Sequence, residues 1–142
     1  MKRLFLTCLL AIGILTAKAQ YKHAIGLALG SPSGITYKTF LSDNKALDFT
    51  LGISSSYFTV SGLYEIHKPL STENLQWLIG FGGYVGFNNS GSNVGAAGII
   101  GLDYKFPQIP LNITLDWKPE LNIISKVGFA AEGIGFSARF TF

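Results

Sequence analysis

The last ten residues alternate without a break. Ile134, Phe136, Ala138, Phe140 and Phe142 fall on one side, and Gly133, Gly135, Ser137, Arg139 and Thr141 on the other. A period of two sends successive side chains to opposite faces of a strand, whereas a helix would need apolar residues every three to four positions. The same period returns at Leu47, Phe49, Leu51 and Ile53 against Asp48, Thr50, Gly52 and Ser54. It returns again at Leu111, Ile113, Leu115 and Trp117 against Asn112, Thr114, Asp116 and Lys118. A looser copy sets Phe58, Val60, Gly62, Tyr64 and Ile66 against Thr59, Ser61, Leu63, Glu65 and His67. Segments 75–87 and 94–106 alternate with many glycines on the second face, and 23–30 and 34–41 complete a set of eight strands. Turn-forming residues separate them at 31–34, 42–45, 54–56, 68–74, 88–93 and 107–110, with a longer loop after Pro119, expected over 120–132.

The beginning of the chain has a different character. Lys2 and Arg3 precede an apolar run over 4–16, and Ala17-Lys18-Ala19 supplies an A-x-A cleavage motif, so residues 1–19 read as a secretory signal peptide and 20–142 as one β-barrel domain. The run is shorter than the roughly twenty residues a membrane-spanning helix needs. Three of the eleven basic residues (Lys2, Arg3, Lys18) leave with the signal, so eight basic side chains face eight acidic ones in the remainder. The high isoelectric point belongs to the signal and gives no support to a nucleic-acid partner. The only cysteine, Cys8, leaves too, which removes disulfides and thiolate metal sites.

The chemistry of the two faces separates a membrane barrel from a soluble sandwich. One face is apolar and aromatic, and the other is built of Gly, Ala, Ser and Thr with scattered charges. Closing the sheet turns the first face to lipid and the second to a narrow interior, and leaves no unpaired edge. The expected fold is an all-β, transmembrane, antiparallel up-and-down barrel of about eight strands in the outer membrane of a Gram-negative cell. It is expected as a monomer among outer-membrane lipids. With both termini periplasmic, the turns at 42–45, 68–74 and 107–110 are periplasmic and the remaining loops extracellular. Tyr64, Trp77, Phe87, Tyr104, Phe106, Trp117, Phe140 and Phe142 lie near strand ends, as interfacial girdles require.

The ending Gly135-Phe136-Ser137-Ala138-Arg139-Phe140-Thr141-Phe142 resembles the C-terminal strand that outer-membrane assembly machinery recognises. The stretch Gly101-Leu102-Asp103-Tyr104-Lys105-Phe106, with Ile109-Pro110-Leu111-Asn112 and Leu115-Asp116-Trp117-Lys118-Pro119, resembles the small barrel-only outer-membrane proteins of the OmpA/OmpX-like family. The resemblance covers nearly all of 20–142 and implies fold and location rather than activity. It also implies that Phe136, Phe140 and Phe142 form an assembly signal, that the assembly machinery is a partner during insertion, and that no peptidoglycan-binding domain follows.

Eight charges fall on the inward face: Lys38, Asp48, Glu65, Asp103, Lys105, Asp116, Lys118 and Arg139, four of each sign. Six of them, all but Asp116 and Lys118, lie within about three residues of the periplasmic strand ends, roughly 10 Å. A buried charge is tolerated only when paired, so the first expectation is an ion-pair plug with Arg139 as central cation among Asp48, Glu65 and Asp103. The alternative for this layer is a selectivity ring or proton-linked gate. Above it the inward positions are mostly glycine and alanine, with Tyr57 and Tyr84 as exceptions. They imply either sharp strand curvature or an outward-open cavity for a lipid or small ligand. A lipid-modifying enzyme is the remaining alternative, and the expectation is against it. His67 is within reach of Glu65, but Ser61 lies six residues, about 20 Å, from His67 along its strand. His23 and His67 read as rim residues. No cofactor and no metal site is expected, and the polar loop at 88–93 has no acidic residue for calcium.

Overall fold

The computed structural model describes residues 21–30, 33–54, 56–89, 91–123, 128–130 and 133–142, with the backbone alone for 128–130. The expected signal peptide at 1–19 lies outside the described residues, as do parts of the loops at 31–32, 55, 90, 124–127 and 131–132. The strands in chain order are β1 (His23–Leu29), β2 (Gly34–Phe40), β3 (Lys45–Ile53), β4 (Tyr57–Pro69), β5 (Leu75–Asn88), β6 (Gly91–Lys105), β7 (Leu111–Trp117), β8 (Glu120–Asn122), β9 (Gly128–Ala130) and β10 (Ile134–Thr141).

Each strand from β1 to β7 pairs antiparallel with the next, β7 pairs with β10, and β10 returns to β1, so the sheet closes. The closing seam is zipped at its end by His23 N donating to Phe142 O (3.0 Å) and Phe142 N donating to His23 O (2.8 Å). Ten segments make eight walls. β7 and β8 pair with β6 in one continuous register, Ile100 opposite Trp117 and Gly95 opposite Asn122. Pro119 interrupts the ladder because it has no N–H, yet its carbonyl still accepts from Gly98 N at 2.9 Å. β9 lies beside β8 and β10 beside β7, with registers one residue apart.

The long loop expected over 120–132 is therefore corrected. Glu120–Asn122 and Gly128–Ala130 continue the wall, because the pairing with β6 outlasts the single bond lost at Pro119. The loop expected at 88–93 is also shorter, since Asn88 pairs directly with Gly91, whose φ of 133° suits a residue without Cβ.

Alternation becomes a sharp division of chemistry. Outside lie exposed Ile25, Leu27, Leu51, Ile79, Phe81, Leu102 and Phe136, with Phe81 69% exposed. Inside lie Thr36, Lys38, Asp48, Thr50, Glu65, Asn112, Thr114, Ser137 and Arg139, all essentially inaccessible. The only charged residues pointing outward from the described strand side chains are Lys45 and Lys68, both at strand ends on the side of the termini. The inner wall is tightly curved. A Cβ on Gly26 would fall onto the carbonyl oxygen of Ala138, and one on Gly82 onto that of Gly62. At these two positions backbone approaches backbone too closely for any other residue.

Candidate functional site

The end of the barrel that carries the termini is filled by a hydrogen-bonded network contributed by β2, β3, β4, β6, β7 and β10. Its centre is Lys38, whose Nζ lies 2.9 Å from Glu65 Oε2 and 3.9 Å from carboxylate oxygens of both Asp48 and Asp103. Arg139 enters from the closing strand. Its Nη2 donates to Asp48 Oδ2 at 2.8 Å and to Thr36 Oγ1 at 3.0 Å, and its Nη1 donates to Thr114 Oγ1 at 2.9 Å. Each threonine passes the contact on: Thr36 donates to Asp48 (2.9 Å) and Thr114 to Asp103 (2.6 Å). Asn112 Nδ2 adds a third contact to Asp103 at 3.0 Å. Three carboxylates thus share two permanent cations, with hydroxyl and amide donors adding bonds to Asp48 and Asp103, while Glu65 Oε1 has no hydrogen-bond partner among the described residues.

The expected assignment of Arg139 as the cation among all three carboxylates is corrected. Arg139 meets Asp48 directly and Asp103 through Thr114, and Lys38 is the residue that faces all three. The remaining charges fall elsewhere. Asp116 and Lys118 lie next to each other, 3.8 Å apart, on β7 and just beyond it. Lys105 leaves the cluster: its Nζ donates to the carbonyls of Phe106 (2.6 Å) and Ile109 (3.0 Å), pinning the β6–β7 turn. Its position, the last residue of β6, lets a long side chain reach the turn rather than the lumen.

His67 is not a rim residue. It is 1% exposed, with Nε2 2.8 Å from Glu65 Oε2 and its ring tilted against Phe40 at 5.0 Å. Tyr21 lies edge-on to Phe40 at 5.0 Å and points its hydroxyl to Asp103 Oδ2 at 3.4 Å. Tyr21, Phe40 and His67 therefore cover the network from the side of the termini. His23 is on the outer face, bonded through Nδ1 to the Tyr37 hydroxyl (2.7 Å) and stacked on Phe142 at 5.6 Å. Phe136 and Phe140 also point outward, and Phe140 stacks on Phe142 at 6.4 Å.

Beyond the network a small apolar layer of Leu63, Leu78 and Ile99 packs with Ala97. The far end then opens into a cleft of about 530 Å³, whose lining includes Tyr57, Thr59, Tyr84, Asn88, Asn93 and Glu120. Both tyrosines expected at a cavity line it. Here glycine makes room for a side chain as well as for backbone: a Cβ on Gly95 would strike both the Leu121 carbonyl oxygen and the Tyr84 phenol at 2.5 Å. Among the described residues no group of His, Cys, Asp and Glu is arranged to hold a metal ion.

No protein-family model, no curated protein and no solved structure matches this chain.

Proposed function

We propose that the chain is an integral outer-membrane barrel with a structural or interaction role, exported by a cleaved signal peptide and closed on its periplasmic side by the Lys38–Arg139 network. One observation carries this. Among the described residues the outer face is largely apolar, with Lys45 and Lys68 as its only charged strand residues and only at one rim, while fourteen charged or hydrogen-bonding side chains are buried inside. In water that arrangement is inverted. In a bilayer both faces are satisfied. Among the described residues no helix is long and apolar enough to cross a membrane. β5 and β6, with 14 and 15 residues, tilted about 40°, rise roughly 35 Å, more than the roughly 25 Å apolar band of such barrels.

In this reading the OmpA/OmpX-like resemblance gives the class, Phe136, Phe140 and Phe142 serve the assembly machinery, and the barrel is a monomer among outer-membrane lipids. The plug reading is favoured over a selectivity ring because Lys38, Glu65 and Arg139 are at most 1% exposed, and a solvated ring needs water around each charge. Catalysis is left out of the proposal: the Glu65–His67 pair is enclosed beneath Phe40 and Tyr21. Reconstitution in a planar bilayer tests the plug. The account expects no steady conductance from the unaltered protein, and stable single-channel currents would remove it.

A further inference from the structure

We propose that the far-end cleft is a binding site for a neutral saccharide of one or two rings. The cleft, about 530 Å³, lies within the roughly 300–1,000 Å³ range of small-molecule sites. Its lining selects a class of ligand. Asn89 and Asn93 offer paired amide donors and acceptors, Ser56 and Thr59 offer hydroxyls, and Tyr57 and Tyr84 offer ring faces. An acyl chain would leave these polar groups unpaired, which is costly. An anion would meet the Glu120 carboxylate, and Lys118, the cation that acts on Glu120, lies outside the lining and beside Asp116. A sugar ring presents vicinal hydroxyls to amides and carboxylate, and an apolar C–H face to an aromatic ring.

A second, independent observation is that two of the polar groups there make no hydrogen bond to the protein. Among the described residues neither the Tyr84 hydroxyl nor the Glu120 carboxylate makes a hydrogen bond or an ion pair, although Tyr84 is 9% exposed and both line the cleft. The network at the other end shows the opposite habit, in which Asp48, Asp103 and Arg139 each have several partners. Room for Tyr84 is built into the neighbouring strand, because any side chain at Gly95 would displace its phenol.

The test uses the full chain without its leader, refolded in lauryldimethylamine oxide micelles, since a maltoside detergent would itself offer a sugar. Backbone amide shifts are followed by NMR as maltose or lactose is added to high-millimolar concentration. Saturable shifts at Gly86, Asn93 and Gly95, with amides of the network unmoved, are expected for at least one of the two sugars. Tyr84→Phe and Glu120→Gln should each weaken that binding about fivefold or more, the worth of one hydrogen bond. No saturation with either sugar would overturn the proposal. So would saturation by tetramethylammonium or laurate in place of sugar, which would make the cleft an amine or lipid site. Binding of sugar that both variants leave unchanged would likewise place it elsewhere. None of these outcomes depends on the lumen being plugged or on which membrane face the cleft meets, so failure here leaves the membrane proposal standing.

Discussion

The two halves of the lumen solve opposite problems with the same strands. In the half near the termini, inward positions are large and polar, and their charges are matched at 2.6–3.0 Å by neighbours from other strands. In the far half inward positions are mostly glycine and alanine, the interior is open, and Tyr84 and Glu120 have no hydrogen-bond partner among the described residues. Between them stands the apolar layer of Leu63, Leu78 and Ile99. Dense, largely paired polar packing holds the barrel closed, and sparse packing leaves a place for something else. Stability should therefore be concentrated at one end and tolerance of substitution at the other.

The largest expected effect is at Lys38. Lys38→Met removes the cation that faces Asp48, Glu65 and Asp103, and breaking such a buried arrangement typically costs about 3–5 kcal/mol. Arg139→Ala should cost a similar but somewhat smaller amount, because Asp48 keeps Lys38 at 3.9 Å. Adding Asp48→Asn to Arg139→Ala should recover part of the loss, since the uncompensated carboxylate is then gone. Urea unfolding midpoints in lipid vesicles measure all three. An Arg139→Ala midpoint equal to that of the parent would favour solvated charges over a plug.

Thr114→Val comes next. It keeps the shape but breaks the relay from Arg139 to Asp103, two hydrogen bonds to charged groups, and should cost about 2–3 kcal/mol in the same measurement. At the seam, Phe142→Asp places a charge at the outer rim, where such substitutions cost only about 0–1 kcal/mol. Its main effect should be kinetic: a lower yield of inserted protein in cells, with unfolded chain accumulating in the periplasm. Smallest of all is the far end, where Tyr84→Phe should move the unfolding midpoint by no more than about 0.5 kcal/mol. A loss at Tyr84 as large as that at Thr114 would erase the contrast between the two halves.

Much of the fold was legible because period two is local: the alternation at 133–142 and 111–118 needs no knowledge of neighbours. Extending β7 past Pro119 into Glu120–Asn122 was not legible, because a proline reads as an end unless the pairing with β6 on both sides of it is known. The charged half of the site was legible by the same logic, since an inward charge in an apolar strand stands out. Its neutral half was not. Thr36, Asn112 and Thr114 are ordinary inward residues until Arg139 and Asp103 are brought to them. Partner choice was not legible either. Lys38 sits opposite Asp48 in the ladder, yet its nearest carboxylate is Glu65 on β4, and Arg139 on β10 bonds Asp48 on β3 across the lumen. Strand tilt and closure decide such contacts, and neither is written in one strand. Tyr21 was missed because it precedes the first strand, and His67 was placed at the rim because it lies near a strand's end.

The central claim is that a closed barrel with an apolar outer face resides in a bilayer. Its most direct test is to dilute the urea-unfolded chain, without residues 1–19, into phosphatidylcholine vesicles and into plain buffer. The account predicts that the vesicle sample becomes strand-rich by circular dichroism, resists protease, and migrates differently on a gel before and after boiling, while the buffer sample aggregates. A monomeric, strand-rich protein in buffer alone, with no affinity for the vesicles, would contradict it.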